Sequence, residues 1–600
     1  MPGCFGALAR RREDVSFEGD LSGLKFTPDQ RVDLHDLGAL RVASVERAGE
    51  PARLARCPRS GAALLLKGEV HGVDAAGLLA AVLAGGRERA VGLPGHYAAI
   101  LWEPRLERLS IMNDALGLYP LFTASSPGAF LFGTASWLFE RARGFRRRTD
   151  PYGVIDLLRC EHMLDDHTLV EGVRLMKPGS LVEVSCGGAP KTHQVVDPFR
   201  DRGPAPRSLD EAAEALGAAY DVAFRRIAGA ADPIVVPLTG GKDSRTVLAE
   251  LLRASPALRG RLETFTLGGP DEWDARIAPR VAALAGVPWQ LVPYDAGVAD
   301  RWLDPFVRLV DGGASIYLTW WAQVLEHLGP APVSIASGFI GDVLSGASFE
   351  DFHPAFKSAG APVIVDPGVE NLIGILARRN FSREQLARTL RPDFAEGRLD
   401  APEWSLRRTY FGAPELPRHT RMIRTDVLNR QRRFIGTQLH IYRQRHRPLA
   451  PFADPDVVRA LLSFGEAEAR GQRGYQEAFA RRHPAAARII EGTGKRPYSG
   501  GIVAHLRARA EVAAVELADR LRARRGGARP RRDFFAFPHD HYKASLLADL
   551  EPLGAFFDPG KLRAEVEAQP ATARRLRLLV TLRAWLAAGA RVPAARSMAA

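Results

Sequence analysis

The chain has 600 residues, 46% hydrophobic and 25% charged, which fits a soluble globular protein of two or more domains and leaves out disordered and fibrous classes. No apolar run approaches the roughly 20 residues that cross a bilayer, and Met1–Arg12 has no apolar stretch long enough for a signal peptide. A formal charge of +13 admits an acidic or nucleic-acid partner, but Arg141–Arg148 holds one aromatic residue, Phe145, and Arg520–Arg532 holds none. That is a poor base-stacking platform, so neither nucleic acid nor membrane is expected as a partner. Cys4, Cys57, Cys160 and Cys186 are widely spaced and lack CxxC or metal-site spacing, as expected of reduced thiols in a cytoplasm.

Taken in order, residues 1–196 read as a β-rich domain. Short apolar runs at Ala62–Leu66, Tyr97–Trp102 and Ala129–Phe132 are separated by turn signals. Residues 197–209 have the proline, glycine and charge content of a linker. A helical stretch follows with Ala212, Leu216, Ala219, Val222 and Ala223 on one face. From residue 210 to 600 a second domain is expected, in which strand-like and helical stretches alternate. They are the short apolar, β-branched run that opens at Ile234, then Val247, Leu248, Leu251 and Leu252 at helical spacing, Glu263–Leu267, a helix over Ala275–Ala285, Trp289–Val292, a helix over Tyr317–Leu328, and Val333–Ala336. Such alternation predicts an α/β fold with a parallel sheet covered by helices on both faces, and ligands at the carboxyl ends of its strands.

Two loops fall at those ends. In Thr239–Ser244, Gly240 and Gly241 let the backbone approach a ligand without Cβ interference, and the helix that follows offers N–H groups at its positive end. Thr239 and Ser244 add hydroxyls, and Asp243 is a carboxylate for the magnesium that accompanies polyphosphate. The second loop, Ser337–Gly346, carries Asp342. Two carboxylates from separate strand ends suit Mg²⁺, which takes oxygen ligands and keeps waters and phosphate oxygens.

Thr239–Ser244 resembles the SGGxDS loop of N-type ATP pyrophosphatases, with threonine leading, and no Walker-type GxxxxGK[ST] pattern surrounds this strand. Ser337–Gly346 resembles the SGxGxDExFGG loop of the asparagine synthetase family, Lys495–Gly501 its KxxFSDG segment, and Thr264–Gly268 its second strand. The resemblance implies ATP and Mg²⁺ as cofactors, with Asp243 and Asp342 as metal carboxylates and Thr239, Gly240, Gly241, Ser244, Ser337 and Gly338 around the nucleotide. It further implies that Leu238 and Leu267 flank the adenine, and that Lys495 neutralises the leaving pyrophosphate and the developing oxyanion. Gly95–Pro104, Asn113–Phe122 and Leu131–Ser136 resemble that family's glutaminase domain, a sandwich of two antiparallel sheets with an N-terminal cysteine nucleophile. Here Pro2 stands at the nucleophile's place, and Cys4 has no free α-amine to act as its base. The glutaminase is therefore expected to be dead.

An adenylated carboxylate attacked by an amine gives an amide. With no ammonia expected from glutamine, the amine comes from elsewhere, as in the family's β-lactam synthetases and lasso-peptide macrolactam cyclases. The β-lactam enzymes carry a tyrosine three residues before the second magnesium aspartate; this chain has Phe339. Extra length, including Phe352–Pro417, points to a larger substrate, so the leading expectation is a lasso-peptide-type cyclase acting on a precursor peptide alongside a leader-processing protein. A small-molecule amide synthetase, a PP-loop tRNA-modifying enzyme and a scaffold pseudoenzyme stay open. The general base is unassigned among Tyr317, Glu350, His353 and His440.

Overall fold

A computed structural model describes residues 3–17, 21, 24–27, 29–47, 53–229, 232–295, 297–347, 380–491, 502–524, 540–570 and 574–590. Its strands are β1 (Cys4–Ala9), β2 (Gln30–Leu37), β3 (Leu40–Arg47), β4 (Leu54–Arg56), β5 (Ala63–Val70), β6 (Gly95–Glu103), β7 (Arg108–Asn113), β8 (Phe122–Ser126), β9 (Ala129–Gly133), β10 (Arg174–Leu175), β11 (Ser180–Ser185), β12 (Lys191–Gln194), β13 (Ile234–Pro237), β14 (Leu262–Leu267), β15 (Trp289–Val292), β16 (Ser334–Ala336) and β17 (Arg447–Leu449). They form two six-stranded sheets, β10-β8-β9-β1-β3-β2 and β12-β11-β7-β6-β5-β4, and one five-stranded sheet, β15-β14-β13-β16-β17. Strands pair antiparallel in the first two and parallel in the third.

Side-chain alternation explains how the antiparallel sheets stack. In β6, Ala98, Ile100 and Trp102 join Cys4, Leu8, Leu40 and Val42 of the other sheet in one apolar cluster. Tyr97, Ala99 and Leu101, one residue out of phase, pack instead with Leu78, Leu79 and Val82 of the helix Ala75–Gly85. A strand buried on both faces reads as a continuous apolar run, and this one does. On the far side of the sandwich, Phe5, Ala7, Ala43 and Val45 pack with the helix Pro151–Cys160 and the C-terminal helix Arg574–Ala590.

The parallel sheet repeats the pattern. Ile234 and Val236 face the helices Leu209–Ala228 and Lys242–Ala254, whereas Val235 enters the cluster that runs on to the sandwich. This shared cluster joins the two halves, as do polar links: Gln30 Nε2 donates to the Gln444 carbonyl (2.9 Å) and Arg432 Nε to that of Gly117 (3.0 Å). Arg432 lies in a π-helical segment, Val427–Ile435, whose neighbouring Arg433 donates to the Asp165 and His167 carbonyls. Among the described residues no helix is long and apolar enough to cross a membrane.

One expected element differs. The helix predicted over Tyr317–Leu328 is α-helical only from Ala322; Ile316–Trp321 is a 3₁₀ turn. Residues i and i+3 eclipse in a 3₁₀ turn, which puts Tyr317 and Trp320 on one side. Tyr317 stacks there on Phe434 (6.1 Å between centroids), an aromatic contact that local propensity does not encode.

Candidate active site

Chain order in the parallel sheet reverses between β13 and β16, which lie side by side. A doubly wound sheet opens a crevice at such a reversal, outside the carboxyl ends of the strands. Both loops singled out in the sequence leave the sheet there.

After β13 the chain turns through Thr239, Gly240 and Gly241 into the helix Lys242–Ala254, whose N-cap residue, Gly241, provides no side-chain cap. Its first-turn N–H groups are thus available to an anion. Local hydrogen bonds set the turn: the Thr239 N–H donates to Ser244 Oγ (3.0 Å), the two hydroxyls meet at 2.9 Å, and the Gly241 N–H donates to Thr239 Oγ1 (3.1 Å). The Gly240 N–H donates to Asp274 Oδ1 (2.9 Å), and the fully buried Arg245 returns to the Gly240 carbonyl (3.1 Å) while also binding the carbonyls of Ile489 and Ile490. A shape fixed from several sides requires no reorganisation when a ligand binds.

The second loop touches the first. A Cβ on Gly338 would stand 2.7 Å from the Cβ of Asp243 and 2.8 Å from the Ser244 nitrogen, so only glycine permits this approach. Ser337 is anchored by its hydroxyl to Gln438 Oε1 (2.9 Å) and by its N–H to the Leu449 carbonyl (2.8 Å). Phe339 is buried, and Ile340 adopts a left-handed φ of 71° that β-branched residues avoid. The strained residue immediately precedes the short helix Gly341–Leu344 that presents the exposed Asp342.

Burial, and after it the Asp342 carboxylate, push the Asp243 pKa well above the usual carboxylate range; Lys242 and a hydrogen bond from Tyr475 act the other way. The neighbouring Asp342 carboxylate raises the proton affinity of Asp243, and hard oxygen donors of this kind suit magnesium, which takes phosphate oxygens as further ligands. Among the described residues no cluster of three or more His, Cys, Asp or Glu side chains could hold a metal by itself.

The structure thus brings together Thr239, Gly240, Gly241, Asp243, Ser244, Ser337, Gly338 and Asp342. Leu238 lies against the strand that carries Leu267, its N–H donating to the Phe265 carbonyl (2.8 Å) and its carbonyl accepting from Thr266 Oγ1 (2.7 Å), while the two leucine side chains take opposite faces of the sheet. Leu238 is fully buried in the cluster on one face of the sheet, and Leu267 lies in the cluster on the other, because they sit out of phase on adjacent strands. Lys495, Glu350, His353 and Pro2 lie outside the described residues. Tyr317 is covered by the Arg577 guanidinium, 4.7 Å from its ring centroid, and the pKa of His440 is lowered to about 3 by burial and nearby arginines, so His440 is a poor base. Sequence reading missed Asp274, Gln438, Gln472 and Tyr475. None lies in a motif, and Tyr475 stands on a helix, Arg473–Arg482, that no sequence signal singled out.

In the sandwich, Cys4 is a β-strand residue with no exposure, its N–H donating to Thr134 Oγ1 (3.0 Å). Burial pushes its thiol up to about 12, which removes the thiolate a nucleophile needs. Beside it Lys67, also fully buried, donates to Glu46 Oε1 (2.9 Å) and to the Val45 carbonyl (2.8 Å).

None of the curated proteins compared with the chain matches it. Among solved structures it is similar to glutamine phosphoribosylpyrophosphate amidotransferase from B. subtilis complexed with ADP and GMP, at 12% identity over 56% of this chain and 81% of that one, with a TM-score of 0.22. It is likewise similar to a structure described as the allosteric regulatory enzyme of purine biosynthesis, at 12% identity over 49% and 74% of the two chains, with a TM-score of 0.21. Scores this low carry no argument about function. A family model does match: residues 71–195, in the antiparallel half, are similar to a glutamine amidotransferase domain.

Proposed function

We propose that the protein uses ATP to adenylate a substrate carboxylate, releasing pyrophosphate, and that an amine then displaces AMP to form an amide. The observation that supports this most is the contact of the Asp243 and Gly338 loops at the switch point of the parallel sheet, beside an uncapped helix N-terminus. In this reading Asp243 and Asp342 hold the magnesium of the nucleotide, which when bound draws charge off the phosphate oxygens. The first-turn N–H groups and the hydroxyls of Thr239 and Ser244 orient the phosphates. Lys495 is assigned from sequence to the leaving pyrophosphate. The expected products are AMP and pyrophosphate; ADP and phosphate would overturn the reading.

The sealed Cys4 supports an amine carried by the substrate itself over one freed from glutamine. We take the product to be a macrolactam closed within a peptide, with a precursor peptide and a leader-processing protein as partners; a smaller amide product, as from asparagine or β-lactam synthetase-like enzymes, is the alternative. The match of residues 71–195 favours a second reading, amide-nitrogen transfer from glutamine. Glutamate release by the purified protein, lost in Cys4→Ala, would establish it.

A further inference from the structure

Both carboxylate loops are tied to a single segment that neither motif includes. Its helix, Arg473–Arg482, is preceded by Gln472, and the two anchoring side chains, Gln472 and Tyr475, sit one turn apart. Tyr475 is fully buried, and its hydroxyl donates to Asp243 Oδ1 at 2.8 Å. The same hydroxyl meets Thr246 Oγ1 at 3.0 Å. A phenol has one proton, and with it committed to the carboxylate, Thr246 must be the donor to Tyr475. The pair thus forms a short relay pointing into the crevice, with the phenol ring wedged edge-on against Phe452 (5.8 Å between centroids).

Gln472 does the corresponding work on the other loop. Its Nε2 donates to the Asp342 carbonyl (2.8 Å) and to Ser345 Oγ (2.7 Å), and Ser345 donates back to the same carbonyl (2.9 Å). Gln472 holds a left-handed φ of 55°, and a Cβ on Gly346 would stand 2.3 Å from the Ala469 carbonyl oxygen, so loop and segment are closely packed. Like charges repel, and two carboxylates drawn from separate strand ends would drift apart unless something rigid set their spacing.

We propose that Gln472 and Tyr475 are positioning residues that together hold Asp342 and Asp243 in register to receive one magnesium–triphosphate. Tyr475 occupies Oδ1 of Asp243 and restrains its carboxylate, which leaves Oδ2 as the oxygen that would hold the metal; Gln472 fixes the backbone from which Asp342 projects. The inference rests on the magnesium–ATP reading above and adds residues that reading does not need.

The experiment titrates ATP into the purified full-length chain by calorimetry, once with excess Mg²⁺ and once in EDTA. Tyr475→Phe removes the hydroxyl and keeps the ring packing. It should weaken binding of Mg·ATP by about 10-fold and leave metal-free ATP within about twofold of the parent. In turnover, the Mg²⁺ concentration for half-maximal rate should rise by a similar factor, with kcat at saturating Mg²⁺ within about threefold. Unchanged magnesium dependence would overturn the proposal, and so would an equal loss of affinity with and without metal, which marks a merely structural role. Gln472→Asn, which tolerates the left-handed φ but shortens the reach by one methylene, should shift magnesium dependence in the same direction and decides the matter if Tyr475→Phe does not fold. Asp243→Asn separates the two levels. If it loses Mg·ATP while both positioning variants behave as the parent, only this proposal fails; if it binds Mg·ATP normally, the site reading falls and the proposal with it.

Discussion

The two halves of the molecule bury charge in opposite ways. In the antiparallel sandwich, Lys67 and Glu46 neutralise each other between the sheets, and side-chain exposures of 0% and 3% leave no access to them or to Cys4 beside them. At the carboxyl ends of the inner strands of the parallel sheet, two carboxylates of the same sign come near each other, with Tyr475 bonded to the Asp243 carboxylate, Gln472 to the Asp342 backbone carbonyl, and Asp342 open to solvent. A paired and sealed charge specifies packing; two like charges drawn together at an accessible place are suited to a ligand.

The largest effect expected from this contrast is on stability. Lys67→Met leaves Glu46 buried without its cation and should cost roughly 3–5 kcal/mol in denaturant unfolding, while Lys67→Met combined with Glu46→Leu should recover most of it. The two variants compared at one denaturant series test whether the pair is structural; a costly double variant would mean the charges serve something else. At the strand ends of the parallel sheet, the signature should be chemical. Asp243→Asn or Asp342→Asn should fold normally and lose roughly 10²-fold or more in pyrophosphate release, and Lys495→Ala should lose as much while binding ATP within about tenfold of the parent. Near-normal turnover in any of these would remove that residue from the site.

Acid should act on the packing between the halves. Burial lowers His162 to about 3 and His446 to about 4, from 6.5 in an unfolded chain. Above that ordinary value both states are neutral and the histidines add nothing. Below it the unfolded state binds protons first, so stability falls by about 1.4 kcal/mol per pH unit for each histidine until the folded pKa is reached. Tm should therefore drop between pH 7 and pH 5, and His446→Leu should flatten the slope by one histidine's share. The smallest effect is expected at Cys4. Its thiol should alkylate far more slowly than the more accessible Cys57, whose pKa is lowered by hydrogen bonding at Ser60, and Cys4→Ala should leave amide synthesis unchanged. Rapid native-state labelling of Cys4 would break the comparison at its root.

The sequence by itself determined the elements whose signal is local. β15 has the bounds read from its apolar run, and the chain turns at Thr239, Gly240 and Gly241 from β13 into a helix, as the change of pattern there predicts. The alternation of strand-like and helical stretches likewise placed both loops at strand ends, and the family resemblance picked out Asp342 in the second. What the sequence could not settle depends on partners distant in the chain. The 3₁₀ turn at Ile316–Trp321 meets partners far along the chain, Phe434 stacked on Tyr317 and Thr581 accepting from the Ile316 N–H, and the side chains of Leu238 and Leu267, alike as apolar residues, take opposite faces of the sheet. Only the tertiary structure decided that Tyr475 belongs to Asp243, since a tyrosine on a helix's buried face looks the same in sequence whether its hydroxyl meets a carboxylate or nothing. Spacing along a chain reports which face a side chain takes; which polar atom waits there is fixed by how separate elements pack.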